Sequence, residues 1–151
     1  GSDMRMNYTM MGDTVNLVAR LESSAKQYGI YNFVGHGIYE NAKDDYIFRF
    51  VDFTRVKGKN VPVKVYELVD RKATIEKKSL DLIKEFEKGM DLYFQQKWDA
   101  ALQQFTQTET MEDHYTSRNT TPSAVFIHRC ELFKENPPEK NWDGVWTMAT
   151  K

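Results

Sequence analysis

The chain has 151 residues, enough for one ordinary domain or for one small domain with an appendage. Of these, 40% are hydrophobic and 28% charged, and 21 basic against 22 acidic residues leave a formal charge of −1, so no bulk field favours nucleic acid or an anionic membrane. A single cysteine, Cys130, excludes an internal disulfide and suits a reducing compartment, with the cytoplasm as the expected location. No apolar run approaches the roughly 18 residues of a membrane span, and no signal-peptide pattern opens the chain.

In chain order, Met4 to Met11 reads as an extended segment entering a Gly12-Asp13 turn. A helix follows, with Asp13 or Thr14 able to cap its first turn and Gly29 as its C-terminal stop. Its spacing sets Asn16, Arg20, Ser23 and Gln27 on one polar stripe. Val15, Val18, Ala19, Glu22 and Ala25 fall on a mostly apolar face that Leu17 and Leu21 extend. An amide and a guanidinium one turn apart, beside the positive end of a helix dipole, suit a phosphate or a ribose oxygen. The plainer reading is a solvated face on which Arg20 pairs with Glu22 or another carboxylate. Next come a strand in "YNFV", a short helical piece near "GIYENAK", and two strands in "IFRFVDFTRV" and "VPVKVYELV" joined by a hairpin turn at "KGKN". Alternation places Val61, Val63 and Val65 on one face, and Pro62 points to an edge strand. This order of elements describes part of an α+β sheet domain.

After Asp70 the strand signals stop. Apolar recurrence at Leu82, Phe86 and Leu92, then at Ala101, Leu102 and Phe105, predicts two helices broken near Gln96-Lys97. A third spans Pro122 to Lys134 and ends at Asn136-Pro137-Pro138, and the tryptophans of "NWDGVWTMATK" are expected to pack on these helices. The shift divides the chain into residues 1–70 and a helical extension over 71–151. Gly89, Ala101 and Phe105 have the spacing of one tetratricopeptide-type helix pair, which cannot bury its own core and should dock on something. His36, His114 and His128 share no metal-ligand spacing with one another or with Cys130. "VGHGIYE" lacks the third glycine and the helix register of a phosphate loop, and the lysines and glutamates from Lys72 to Lys88 form a mixed solvated face.

Taken together, "YTMMGDTVNLVARLE" and, some forty residues on, "RVKGKNVPVKVYEL" resemble the signature of class III adenylate and guanylate cyclases. In that family a strand enters a Gly-Asp/Asn turn, a Val-Asn-x-x-x-Arg helix follows, and a Val-Lys-Gly-Lys hairpin precedes the last strand. The resemblance covers residues 1–69, and the tail through "NPPEKNWDGVWTMATK" is similar to the C-terminal extension of some bacterial members. It implies a partial ferredoxin-like cyclase sheet domain followed by an all-helical, tetratricopeptide-like extension. It also implies four roles. Asn16 would orient the ribose while its 3′ oxygen attacks the α-phosphate, and Arg20 would hold the charge that develops there. Lys57 would grip the terminal phosphates, and Thr9 stands where the family reads the purine, its hydroxyl favouring ATP over GTP.

The same resemblance implies two magnesium or manganese ions held by aspartates early in the domain, and the Phe-x-Asp-Ile-x-x-Phe stretch that supplies one of them is not in this chain. The expectation is therefore the C-terminal half of an adenylate cyclase domain, inactive alone, with ATP as the substrate of the intact enzyme. Family sites form between two protomers, so a homodimer or higher self-association is expected, with no nucleic acid and no direct membrane contact from this segment. Guanylate cyclase is one alternative. Another is a non-catalytic interaction module that works through its helical pair.

Overall fold

The computed structural model describes residues 15–55 and 61–147, and within them the side chains from Glu22 onward. The extended segment before the first helix, the caps Asp13 and Thr14, and the "KGKN" turn lie outside the described residues. Among the described residues, five helices and four strands follow one another as α1 (Val15–Tyr28), β1 (Phe33–Gly35), α2 (His36–Ala42), β2 (Tyr46–Arg55), β3 (Val63–Arg71), α3 (Lys77–Phe94), α4 (Trp98–Glu109), α5 (Pro122–Glu135) and β4 (Trp146–Thr147). The architecture is α+β, as the sequence implies.

The strands form one mixed sheet in the order β1-β3-β2-β4, antiparallel except for β4, which runs parallel to β2. Two expectations are corrected by this topology. Strands do not stop at Asp70, because Trp146 and Thr147 add β4 beside Thr54 and Arg55. The strand after Pro62 is not an edge: β3 is paired on both sides, and Pro62 is accommodated because it precedes the first ladder residue, Val63. Of the valines that alternation places on one face, Val61 is 70% exposed and Val63 40%, while Val65 lies in the core. Both faces of β3 are covered instead. Val65 turns towards the long helices, and Tyr66 and Leu68 turn towards α2, so the middle of the strand is buried throughout.

The larger core joins the sheet to the helices. Ala25 and Tyr28 of α1, Phe33 of β1, Val51 of β2 and Val65 of β3 pack with Phe86, Met90, Tyr93, Phe105 and Phe126. Each buried Val, Phe or Met side chain among them contributes about 1.5–3 kcal/mol relative to exposure. The break between α3 and α4 falls at Gln96, whose φ of 62° takes the left-handed turn. Its amide donates to the Tyr93 carbonyl and the Lys97 amide to that of Leu92, satisfying the carbonyls at the helix end. Gly89 of α3 faces Phe105 of α4, and the α5 cap is Thr121, which accepts from the Ala124 amide at 3.0 Å. Trp142 packs edge-on or tilted among Tyr93, Trp98 and Phe133, as the sequence suggests, while Trp146 touches Phe133 and also serves the sheet. Lys77–Asp81 and Lys88–Glu85 pairs at 2.9 Å decorate the solvated face of α3. Among the described residues no helix is long and apolar enough to cross a membrane.

Candidate active site

Asn16 and Arg20 both belong to α1, one turn apart near its start. Further along the same stripe Ser23 and Gln27 are exposed, whereas Ala25 and Tyr28 are buried against the sheet. The helix therefore presents one face to the core and keeps the stripe's described end open. The side chains of Asn16 and Arg20, and the whole of Thr9 and Lys57, lie outside the described residues. The loop that carries Lys57 leaves the sheet where Thr54 pairs with Val63, beside the β4 edge.

The far end of α1 is fixed in detail. Gly29 adopts φ +74°, its amide donates to Lys26 at 3.1 Å, and Ile30 closes the outer bond to Ala25 at 2.9 Å. Only glycine meets both demands here, because a Cβ would sit 2.0 Å from the Thr120 carbonyl oxygen. The Tyr28 hydroxyl donates to Asp52 on β2, and Arg129 of α5 approaches the same carboxylate oxygen at 2.8 Å. Asp52 reaches this position because β2 slips register between Phe50 and Asp52, a bulge that leaves both Val51 and Asp52 buried. Burial raises the Tyr28 hydroxyl well above its ordinary range, and the Asp52 charge adds to it. Burial opposes the charge on Arg129, but Asp52 and the two tyrosines outweigh it and hold the guanidinium above its usual value. Sequence reasoning missed this triad. Asp52 and Arg129 are far apart in the chain, and nothing in strand alternation predicts a bulge that turns an aspartate inward.

Among the described residues, the cleft beside the sheet does not suit a nucleoside triphosphate. A cleft of about 590 Å³ between β2, β3, α3 and the Trp142–Gly144 turn has Lys64 as its one lining cation, against Glu87, Asp91 and Asp143. Its walls are rings, with Tyr39 and Tyr66 stacked at 4.1 Å. Carboxylates outnumbering cations make a poor seat for four phosphate charges.

Comparison with known proteins supplies the family. The chain is 32% identical over 136 residues to the terminal-differentiation-specific adenylate cyclase of Dictyostelium discoideum, a match covering 86% of this chain and 6% of that protein. It is 36% identical over 69 residues to adenylate cyclase 1 of Rhizobium meliloti (strain 1021), and 31% identical over 71 residues to the adenylate cyclase of Anabaena cylindrica. This chain carries a class III adenylate-cyclase-like region. It spans 6%, 10% and 14% of the length of these three relatives. The two bacterial matches cover 46% and 45% of the chain. The Dictyostelium match covers more than residues 1–70 could supply, so the similarity continues into the helices that pack on the cyclase-like sheet. No family model matches the chain, and no solved structure matches it.

The divalent ions that adenylate cyclases of this class imply do not fit the described residues of the region. Among those residues no group of three or more His, Cys, Asp or Glu converges on one point. The buried carboxylates are already occupied: Asp52 by Arg129 and Tyr28, and Glu67 and Glu112 by Arg49. An aspartate engaged by an arginine at 2.8 Å has its lone pairs committed and its charge balanced, so it offers little to a cation.

Proposed function

We propose that this chain supplies the nucleotide-positioning half of an adenylate cyclase that converts ATP to 3′,5′-cyclic AMP and pyrophosphate. In this reading α1 presents Asn16 to the ribose and Arg20 to the α-phosphate. The 3′ hydroxyl gives its proton to water as its oxygen attacks the α-phosphorus, the bond to the bridging oxygen of the β-phosphate breaks, and pyrophosphate leaves with that electron pair. Arg20 stabilises the charge that grows on the α-phosphate oxygens, and most of its effect falls on the transition state. Lys57, on the loop between β2 and β3, neutralises the terminal phosphates as a point charge. Thr9 accepts a hydrogen bond from the adenine amino group.

The observation that carries this reading is α1 itself: a helix held firmly at its Tyr28–Gly29 end, with Asn16 and Arg20 on a stripe whose described end is exposed. The three adenylate cyclases that match the chain support ATP as the substrate. In this reading the divalent ions are held by aspartates outside the described residues, contributed by a second protomer. The sheet is part of a ferredoxin-like cyclase fold, and α3 and α4 form a tetratricopeptide-like pair docked on it. The chain alone makes no cyclic nucleotide.

Complementation tests this directly. The chain is mixed with a cyclase protomer that keeps its metal-binding aspartates but carries an Arg-to-Ala change at the position equivalent to Arg20, and both ATP and GTP are offered with magnesium or manganese. Cyclic AMP above the level of either component supports the reading. Product from GTP alone reassigns the substrate, and no product from either nucleotide rejects it.

A further inference from the structure

The start of α1 carries the proposed chemistry, but several of the contacts that fix its other end come from the segment between α4 and the C-terminal part of α5. The Tyr28 hydroxyl, the Asp52 carboxylate and the Arg129 guanidinium form a closed triangle, with Arg129 Nη2 2.8 Å from Asp52 Oδ2 and 3.2 Å from the Tyr28 oxygen. All three residues are no more than 3% exposed. Arg129 is held between rings, 4.1 Å from the centre of Trp146 and 4.6 Å from that of Phe126. The residues just past the helix are gripped as well. Arg118 Nε donates to the Ile30 carbonyl at 2.8 Å, the Tyr31 and Ser117 hydroxyls lie 2.7 Å apart, and the Thr120 carbonyl closes on Gly29.

We propose that Arg129 is a positioning residue for the cyclase reaction, acting through Tyr28 and Asp52 to set the angle at which α1 leaves the sheet. This rests on the reading of Asn16 and Arg20 given above. The lever is long. At 1.5 Å per residue Arg20 lies about 12 Å along the axis from Tyr28, so a tilt of about 5° about Tyr28 moves it about 1 Å. Misplacement of that size costs about a hundred-fold in rate when the displaced group acts in the transition state. Trp146 and Phe126 prevent the guanidinium from following a displaced tyrosine, and the bulge in β2 fixes the carboxylate that both share. The helical segment thus has a task in catalysis that neither a passive cap nor a partner-docking module would have: it sets where the α1 side chains stand.

The test uses the whole protein that contains this chain. Tyr28→Phe removes one hydroxyl and Arg129→Met removes the charge; Phe105→Leu, which opens space in the same core and touches no member of the triangle except through Phe126, serves as the destabilised control. Turnover and KM for ATP are measured well below the unfolding temperature, and hydrogen exchange is followed in α1 and β3. Loss of about ten-fold or more in kcat for Tyr28→Phe and Arg129→Met, with KM within about two-fold, supports the proposal when Phe105→Leu keeps its kcat at a similar loss of Tm. Faster exchange at residues 24–28 with β3 unchanged is the matching structural result. Should Arg129→Met fail to fold, Tyr28→Phe alone decides. Equal kcat losses in all three variants, or none in the first two, overturn the positioning role. Unchanged exchange in α1 overturns the clamp whatever the activity. A wild-type protein that makes no cyclic nucleotide, while α1 loosens only in the triangle variants, rejects the cyclase reading and the catalytic role but leaves the clamp in place.

Discussion

Arg49 on β2 and Glu112 after α4 meet across the junction of sheet and helices, the guanidinium donating to the carboxylate at 2.8 Å with both side chains no more than 4% exposed. The same guanidinium donates twice to Glu67 of β3, at 2.7 and 3.0 Å, and lies 4.8 Å from the centre of the Phe86 ring. Burial works against its charge, but two carboxylates raise the Arg49 pKa above its ordinary value. Glu112 also accepts from Ser123 at the start of α5, so one buried cluster ties two strands to the helical segment.

Removing the cation should expose the cost of that arrangement. Arg49→Met leaves two carboxylates buried without a counter-charge, and we expect a loss of about 3–5 kcal/mol in urea-melting experiments. A loss below about 1 kcal/mol would mean that water reaches Glu67 and Glu112 and that the cluster does not join the two parts as described.

Gly29→Ala should be costly for two separable reasons. An alanine at φ +74° is strained by about 1–2 kcal/mol. Its Cβ would also press on the Thr120 carbonyl, a backbone atom that cannot rotate away. The expected total is about 2–4 kcal/mol by thermal or urea denaturation. A neutral result would show that the loop before α5 does not close on the end of α1.

Gly89→Ala sets two effects against each other. Alanine favours a helix interior over glycine by about 1 kcal/mol. Against this, the new methyl would come within 2.7–2.9 Å of three atoms of the Phe105 ring, which is fully buried between Phe86 and Phe126 and cannot yield. Overpacking costs about 1–3 kcal/mol, so net destabilisation of about 1 kcal/mol is expected. Stabilisation in a thermal melt would show that α3 and α4 are less closely apposed at this point.

Much of the fold is legible in the sequence because its local signals agree with its tertiary structure. Gly29 stops α1 where its left-handed conformation is needed, the break between α3 and α4 falls at Gln96, and α5 begins at Pro122 behind the Thr121 cap. Three features escape a local reading. Val61 and Val63 alternate with Pro62 and Lys64, yet strand alternation says nothing about which end of a hairpin projects beyond the core. β4 is two residues long and gains its strand character from Thr54, whose hydroxyl donates to the Trp146 carbonyl at 2.6 Å, rather than from its own pattern. The Tyr28–Asp52–Arg129 triangle depends on a bulge and on three distant segments. Of the proposed site, the order of Asn16, Arg20 and the Lys57 loop comes from motifs that are local in the chain. The residues that hold α1 are not, because positioning is a property of the packed core.

Cys130 should behave as an inert core residue. Burial pushes its thiol up to about 12, with Arg129 pulling it back and Glu131 adding to the rise. In the unfolded chain the thiol ionises around 9.0. Between these values the unfolded state binds fewer protons, so the contribution to stability is fully present below the lower value and is lost as the pH rises towards the upper one. At pH 8 a maleimide or a disulfide reagent should leave the folded protein unlabelled and react fully in denaturant. Rapid labelling of the folded protein would place Cys130 at the surface.

In the proposed reaction Arg20 meets the α-phosphate of ATP in the transition state. The most direct test is steady-state cyclic AMP formation by the whole protein bearing this chain, wild type against Arg20→Ala, with helix content checked by circular dichroism. We expect kcat to fall by about a hundred-fold or more while KM moves by no more than a few-fold. Unchanged turnover in a folded Arg20→Ala protein would contradict it.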